Sequence, residues 1–184
     1  MSVLLWTAGT LYLIGLCLLF LYGINSALLA FLYFRNKGEA IARDRELAAR
    51  FWRNGHHAQL PPVTVQLPIY NERYVVERLI DAAVRLHYPR HLLEIQILDD
   101  LSDETSSLAA AKVEEHRAAG IDIVHLRRSD RDGFKGGALR EGLKRAKGEL
   151  IAIFDADFVP PPNFLLDTLP FFPQDDRLCT VQGR

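Results

Sequence analysis

Between Ser2 and Phe34 the chain carries no charged residue. A bilayer core is crossed by about 20 consecutive apolar residues. The run is longer than one upright span and too short for two, so it reads as one transmembrane helix, tilted or with an interfacial end. A cleaved signal peptide would need a basic start and a shorter apolar core; "MSVLLW" has no Lys or Arg. Trp6 and Tyr33 sit near the two ends, where interfacial aromatics gather. Arg35, Lys37, Arg43, Arg45, Arg50 and Arg53 all follow the run and none precedes it. That asymmetry predicts the remainder on the cytoplasmic face of an integral membrane protein. Residues 1–34 are thus expected to be a transmembrane helix, residues 35–60 a juxtamembrane helix or linker, and residues 61–184 a folded domain. His56 and His57, with no other ligand type nearby, read as exposed linker residues.

The net charge is −1 and nearly half the residues are hydrophobic. This composition excludes a disordered chain and gives no ground for a nucleic-acid partner. Cys17 and Cys179 are too far apart and too few for a zinc pattern or a disulfide framework, and read as reduced, apolar-packed residues.

From Pro61 onward short apolar runs alternate with helical patterns. "VTVQL", "LEIQIL", "IDIVHL" and "LIAIF" read as strands, and "LCTVQ" as the start of a fifth. Between the first two, Val75, Val76, Leu79, Ile80, Ala83 and Val84 share one helical face. Ser102 or Asp103 can cap a second helix that Gly120 stops. A third runs over 136–146, with Ala138, Leu139, Leu143 and Ala146 inside, and "NFLLDTL" forms a short fourth. Strand alternating with helix predicts a mostly parallel α/β sheet covered on both faces. In such sheets ligands bind beyond the carboxyl ends of the strands. Those ends read "PIYNE", "DDLSDET", "RRSDRDGFKGG" and "DADFVPPP".

Asp155 and Asp157 follow "IAIF" and fall on one side of an extended segment. A carboxylate leaving apolar surroundings needs a partner, and two together suit Mg²⁺ or Mn²⁺ with phosphate oxygens completing the shell. The other D-x-D, Asp130-Arg131-Asp132, has Arg127 and Arg128 close by and reads as a solvated loop with local ion pairs. Lys135, ahead of Gly136 and Gly137 at a helix start, fits a phosphate contact; an ordinary glycine turn with an exposed lysine is the competing reading. Helix capping accounts for Asp103 better than for Asp99, which continues a strand. A carboxylate there can accept hydrogen bonds from a base or a ribose. Tyr70 and Glu72 add a ring and an acid beside the first strand end; a core-edge tyrosine and a first-turn helix acid are the competing readings.

"QLPIYNE", "LDDLSDET", "FKGGAL" and "FDADFVPPPNFL", in that order behind a membrane helix, resemble the family 2 glycosyltransferases, in particular their membrane-bound cellulose-synthase-like and mannan-synthase-like branch. The resemblance covers residues 61 to 184 and implies the nucleotide-binding part of a GT-A fold. It implies that Pro68, Tyr70 and Glu72 shape a nucleotide pocket, that Asp99 and Asp100 meet base and ribose, and that Lys135 lies near the diphosphate. Asp155 and Asp157 would hold a UDP- or GDP-sugar through Mg²⁺ or Mn²⁺. The hexose would pass with inversion to a polysaccharide or lipid acceptor. The family's acceptor base and its Gln-x-x-Arg-Trp motif lie well beyond the D-x-D and are not found in these residues, so the base is expected beyond Arg184. A domain truncated at its C-terminal side is therefore expected, with donor binding and no catalytic base of its own. Two other readings remain: a dehalogenase-type phosphatase with Asp155 as nucleophile and Asp157 as acid/base, which would need a later lysine, and a non-catalytic membrane-anchored nucleotide-binding module.

Overall fold

The computed structural model describes residues 2–55, 59–100, 104–128, 131–175 and 177–183, with side chains from Leu5 onward. The chain divides into two compact units after Ala49. Helix α1 (Ser2–Arg53) runs unbroken through the charge-free stretch and on through residues 35–53. No proline interrupts that second part, and Ala, Leu, Glu and Arg dominate it, so nothing marks a boundary at Phe34. From Leu5 to Phe34 no side chain is buried. Among the described residues α1 is the one helix long and apolar enough to cross a membrane. It ends in a turn at Gly55, whose φ of 83° is a left-handed geometry that glycine adopts at little cost. His56 and His57 lie outside the described residues. So does Arg184.

Four strands follow: β1 (Val63–Ile69), β2 (Leu93–Asp99), β3 (Ile123–Arg127) and β4 (Leu150–Ile153). All pair in parallel in the order β3-β2-β1-β4. Helix α2 (Val76–Val84) links β1 to β2, α3 (Glu104–Ala118) links β2 to β3, and α4 (Phe134–Leu143) carries the chain from β3 to β4. Since β4 lies on the opposite side of β1 from β2, the strand order reverses between β1 and β4. Such a reversal opens a crevice at the carboxyl ends of the two strands. Pro68 sits in central strand β1 without disrupting it, because β4 pairs with β1 only as far as Gln66.

The two faces of the sheet differ in chemistry. Val63, Val65, Leu67 and Ile69 of β1 and Leu93, Ile95 and Ile97 of β2 share a core with Val76, Leu79, Ile80 and Ala83 of α2 and Ala109 and Val113 of α3. The alternate residues Thr64, Gln66, Glu94 and Gln96 are equally buried and meet the α4 side. A Cβ on Gly142 of α4 would lie 2.6 Å from Gln66 Nε2 and 3.0 Å from Gln96 Oε1. The buried polar groups satisfy one another, as they must. Thr64 Oγ1 donates to Glu94 Oε2 at 2.7 Å and accepts from Gly148 N at 2.8 Å; Gln66 Nε2 donates to Gln96 Oε1 at 3.1 Å. Lys147 N also donates to Glu94, at 2.9 Å.

This polar face moves two expectations. α4 begins at Phe134 and ends at Leu143, and Leu143 is exposed, because the helix turns its small residues Gly137, Ala138 and Gly142 inward. The expected strand at "LCTVQ" is not formed: Cys179 to Gln182 line an apolar cavity beside β4 without joining its ladder. Both cysteines are free, as expected, but exposed rather than buried: Cys17 lies on the open surface of α1 and Cys179 on this irregular segment. The short helix α5 (Phe164–Thr168) forms as expected after the prolines, and Phe164 packs edge-on against Phe154 behind the β4 end. α3 stops before Gly120 (φ 81°) as expected, while Ser102 and Asp103, expected to cap it, lie outside the described residues.

Candidate functional site

The crevice between the β1 and β4 ends is a cavity of about 370 Å³ lined by Pro68, Tyr70, Glu72, Asp100, Arg131, Lys135, Asp155 and Asp157 over a floor of Ile69, Leu98, Ala138 and Ala156. Every donor- or metal-binding residue expected from sequence lines it, except Asp99. The exception follows from strand geometry. Successive residues point to opposite faces, so Asp100 enters the cavity while Asp99 turns toward β3. There Asp99 is 2% exposed and accepts a 2.8 Å hydrogen bond from His125 Nε2.

Asp100 is held rigidly. Arg128 donates to it through Nε and Nη2 at 2.6 and 2.8 Å, a fork geometry that fixes the carboxylate plane. The same guanidinium donates to the carbonyl oxygens of Asp132 and Phe134 at 3.0 and 3.1 Å. Arg128 thereby ties the β2 end to the start of α4. The tie passes directly over Gly137: a Cβ there would collide with the Asp132 carbonyl and lie 2.6 Å from Arg128 Nη1. One of the two glycines after Lys135 thus serves packing. The other, Gly136, has nothing within 4 Å of where a Cβ would stand.

Lys135 is carried by the first turn of α4 and its ammonium contacts the Asp155 carboxylate. Asp155 and Asp157 are not on an extended segment. Phe158 N donates to Asp155 O at 3.0 Å and closes a turn, yet both carboxylates still line the cavity, while Ala156 between them is buried. Among the described residues no group of three or more His, Cys, Asp or Glu side chains converges as a metal cage. The donor set is nevertheless suited to a hard divalent cation, which takes a few carboxylate oxygens and leaves other positions to phosphate or water.

Arg131, expected in a solvated loop of ion pairs, stands instead in the cavity wall. Its guanidinium carbon lies 3.4 Å from the centroid of the Tyr70 ring and 5.3 Å from that of Phe134. Asp132 does keep to the surface, 3.7 Å from Arg140; Asp130 lies outside the described residues. The signal for Arg131 is its place just before a helix start at a strand end, which the charge-rich context conceals. Phe134 itself has a left-handed backbone, φ 48°, sparse for an aromatic residue and typical of site-forming turns.

Residues 64–184 match the family described as Glycosyl transferase family 2. The chain belongs to that family. It is 44% identical over 131 residues to "Probable glucomannan 4-beta-mannosyltransferase 6" of Oryza sativa subsp. japonica, and 41% identical over 131 residues to "Glucomannan 4-beta-mannosyltransferase 7" of Arabidopsis thaliana. Each match takes in 69% of this chain, and 23% and 24% of the relatives. The chain thus spans about a quarter of the length of the curated relatives it matches. Among solved structures it resembles the mannosyltransferase PcManGT from Pyrobaculum calidifontis in complex with GDP-Man and Mn2+, with TM-score 0.56, 27% identity, and coverage of 72% of this chain and 41% of that one. S. aureus TarS 1-349 shares the fold at TM-score 0.53 and 22% identity, over 61% of this chain and 32% of that one. The GT-A architecture expected from the motifs is therefore the one present, and the phosphatase alternative is set aside by the family assignment.

Proposed function

We propose that the cavity is the donor site of a membrane-anchored, inverting family 2 glycosyltransferase, binding a UDP- or GDP-linked hexose with Mg²⁺ or Mn²⁺ at the cytoplasmic face, for transfer to a polysaccharide or lipid acceptor. The observation that carries this reading is the convergence of Tyr70, Asp100, Lys135, Asp155 and Asp157 on one cavity at the strand-order reversal. The glucomannan mannosyltransferase names of the relatives favour a mannosyl donor, and the neighbour solved with GDP-Man and Mn2+ favours GDP and a divalent ion.

Each wall has a task in this reading. Tyr70, 41% exposed, offers a ring face for a base. Asp100, locked by Arg128, accepts hydrogen bonds from the base or ribose; Asp99 stands behind it against His125 and reaches a ligand only if that pair opens. Asp155 and Asp157 would hold the metal, whose charge would stabilise the departing diphosphate. Lys135 would leave Asp155 and turn its charge to the same diphosphate, so donor and metal would enter together. None of the cavity-lining residues is assigned as the acceptor base in this reading.

The test is calorimetric titration of the full chain in detergent with GDP, UDP and their mannose and glucose conjugates, with and without Mn²⁺. Metal-dependent binding of one nucleotide class supports the reading and names the base. A folded chain that binds none of them refutes it.

A further inference from the structure

We infer that Arg131 is a donor-binding residue whose guanidinium edge takes oxygens of the nucleotide diphosphate while Tyr70 and Phe134 hold its plane. This rests on the donor-site reading above and extends it to a residue that no motif had marked. Three observations carry it. Arg131 lines the cavity. Its Nε is buried without a hydrogen-bond partner, which costs free energy unless something supplies an acceptor. Stacking on Tyr70 at 3.4 Å occupies only the face of the guanidinium, and leaves the in-plane N–H groups for a bidentate anion.

The neighbouring cations sharpen the assignment. Arg128 is committed to Asp100 and to two backbone carbonyls, and so serves the frame. Lys135 is held by Asp155. Arg131 is the cavity-lining cation, among the described residues, with an unmet donor. Glu72, Asp155 and Asp157 line the same cavity. Were Asp155 and Asp157 to hold a divalent ion, a diphosphate in this cavity would otherwise meet only one positive side chain, Lys135, so a second cation would lower the remaining negative charge.

The assignment predicts a split between nucleotide and nucleoside. With Mn²⁺ present and the full chain in detergent, the dissociation constants of GDP or UDP, whichever the wild type binds, and of the matching nucleoside are measured for wild type, Arg131→Gln and Arg131→Lys. Arg131→Gln is expected to weaken the nucleoside diphosphate about tenfold or more, the effect of losing a charge-assisted hydrogen bond, and to leave nucleoside affinity within about twofold. Arg131→Lys recovers only part of the loss, because an ammonium lacks the fork. Unchanged diphosphate affinity in Arg131→Gln overturns the inference and leaves the donor site standing. An equal loss for nucleoside and diphosphate also overturns it, and assigns Arg131 to pocket shape. Should Arg131→Gln unfold, Arg131→Lys decides alone: full diphosphate affinity with lysine would contradict the forked contact. Absence of any nucleotide binding by the wild type overturns this inference and the donor site together.

Discussion

The two faces of the sheet are made from alternate residues of the same strands, and they divide the labour. On the α2 and α3 side the packed residues are mostly aliphatic and buried, and apolar burial is the main contact that holds the helices down. On the α4 side the buried residues are Thr64, Gln66, Glu94 and Gln96, joined by hydrogen bonds and covered by a helix that shows glycine and alanine to them. An apolar contact tolerates small slips, whereas a hydrogen-bond ladder holds only in register. α4 is the helix that delivers Lys135 to the cavity and sets Phe134 beside Arg131. The polar face thus fixes where the site's cations stand, and the apolar face supplies most of the stability beneath it.

The sharpest way to separate site from frame is at the β4 end. Asp155→Ala or Asp157→Ala is expected to lower metal-dependent nucleotide affinity by roughly 100-fold or more, through loss of a metal ligand, with an unchanged melting temperature because both side chains are exposed. Calorimetry and thermal unfolding of the same samples check this. Next, Ile95→Ala on the apolar face should cost about 3 kcal/mol in denaturant unfolding, a typical cavity penalty; a loss below about 1 kcal/mol would mean that this face matters less than described. On the polar face, Glu94→Ala strands the Thr64 hydroxyl and Lys147 N–H and should cost about 2 kcal/mol. Gly142→Ala drives a methyl into Gln66 and Gln96 and should cost about 1–2 kcal/mol, and unlike Ile95→Ala it should also weaken nucleotide binding, because it shifts α4. If both glycine and isoleucine variants left binding equally intact, the positioning role of the polar face would fall.

The smallest effect concerns a pair remote from the site. Partial burial raises the pKa of Asp81 on α2, but hydrogen bonds from His116 and Lys112 of α3 outweigh that and hold it below the usual carboxylate range. A depressed carboxyl stabilises the fold above the pKa of the unfolded chain, near 4, and the contribution fades as pH falls through the lower folded value. At 31% side-chain exposure the contribution is discounted to under about 1 kcal/mol. Asp81→Asn should flatten the stability profile below pH 4 and leave nucleotide affinity unchanged.

The strand-helix alternation and the strand-end positions of Tyr70, Glu72, Asp100, Lys135, Asp155 and Asp157 are legible in the sequence, since period and position depend on local pattern. Three things are not. Which strand face each aspartate takes requires the register, and that separates Asp99 from Asp100. The apolar pattern puts Leu143 on the wrong face of α4, because a helix over buried glutamines selects small residues, not large apolar ones. Arg131 is hidden among charges, since its stacking on Tyr70 joins residues 61 positions apart, and only the fold brings them together.

On the proposed donor-site reading, Asp155 and Asp157 form a cation position that the donor would complete. Lys135 now neutralises Asp155, so Mn²⁺ alone should bind weakly and nucleotide should draw it in. Electron paramagnetic resonance of free Mn²⁺, titrated into the full chain with and without GDP or UDP, measures this directly. The predicted result is uptake of about one Mn²⁺ per chain only when nucleotide is present, abolished in Asp155→Ala. Nucleotide binding with no Mn²⁺ uptake, or uptake indifferent to Asp155→Ala, would contradict it.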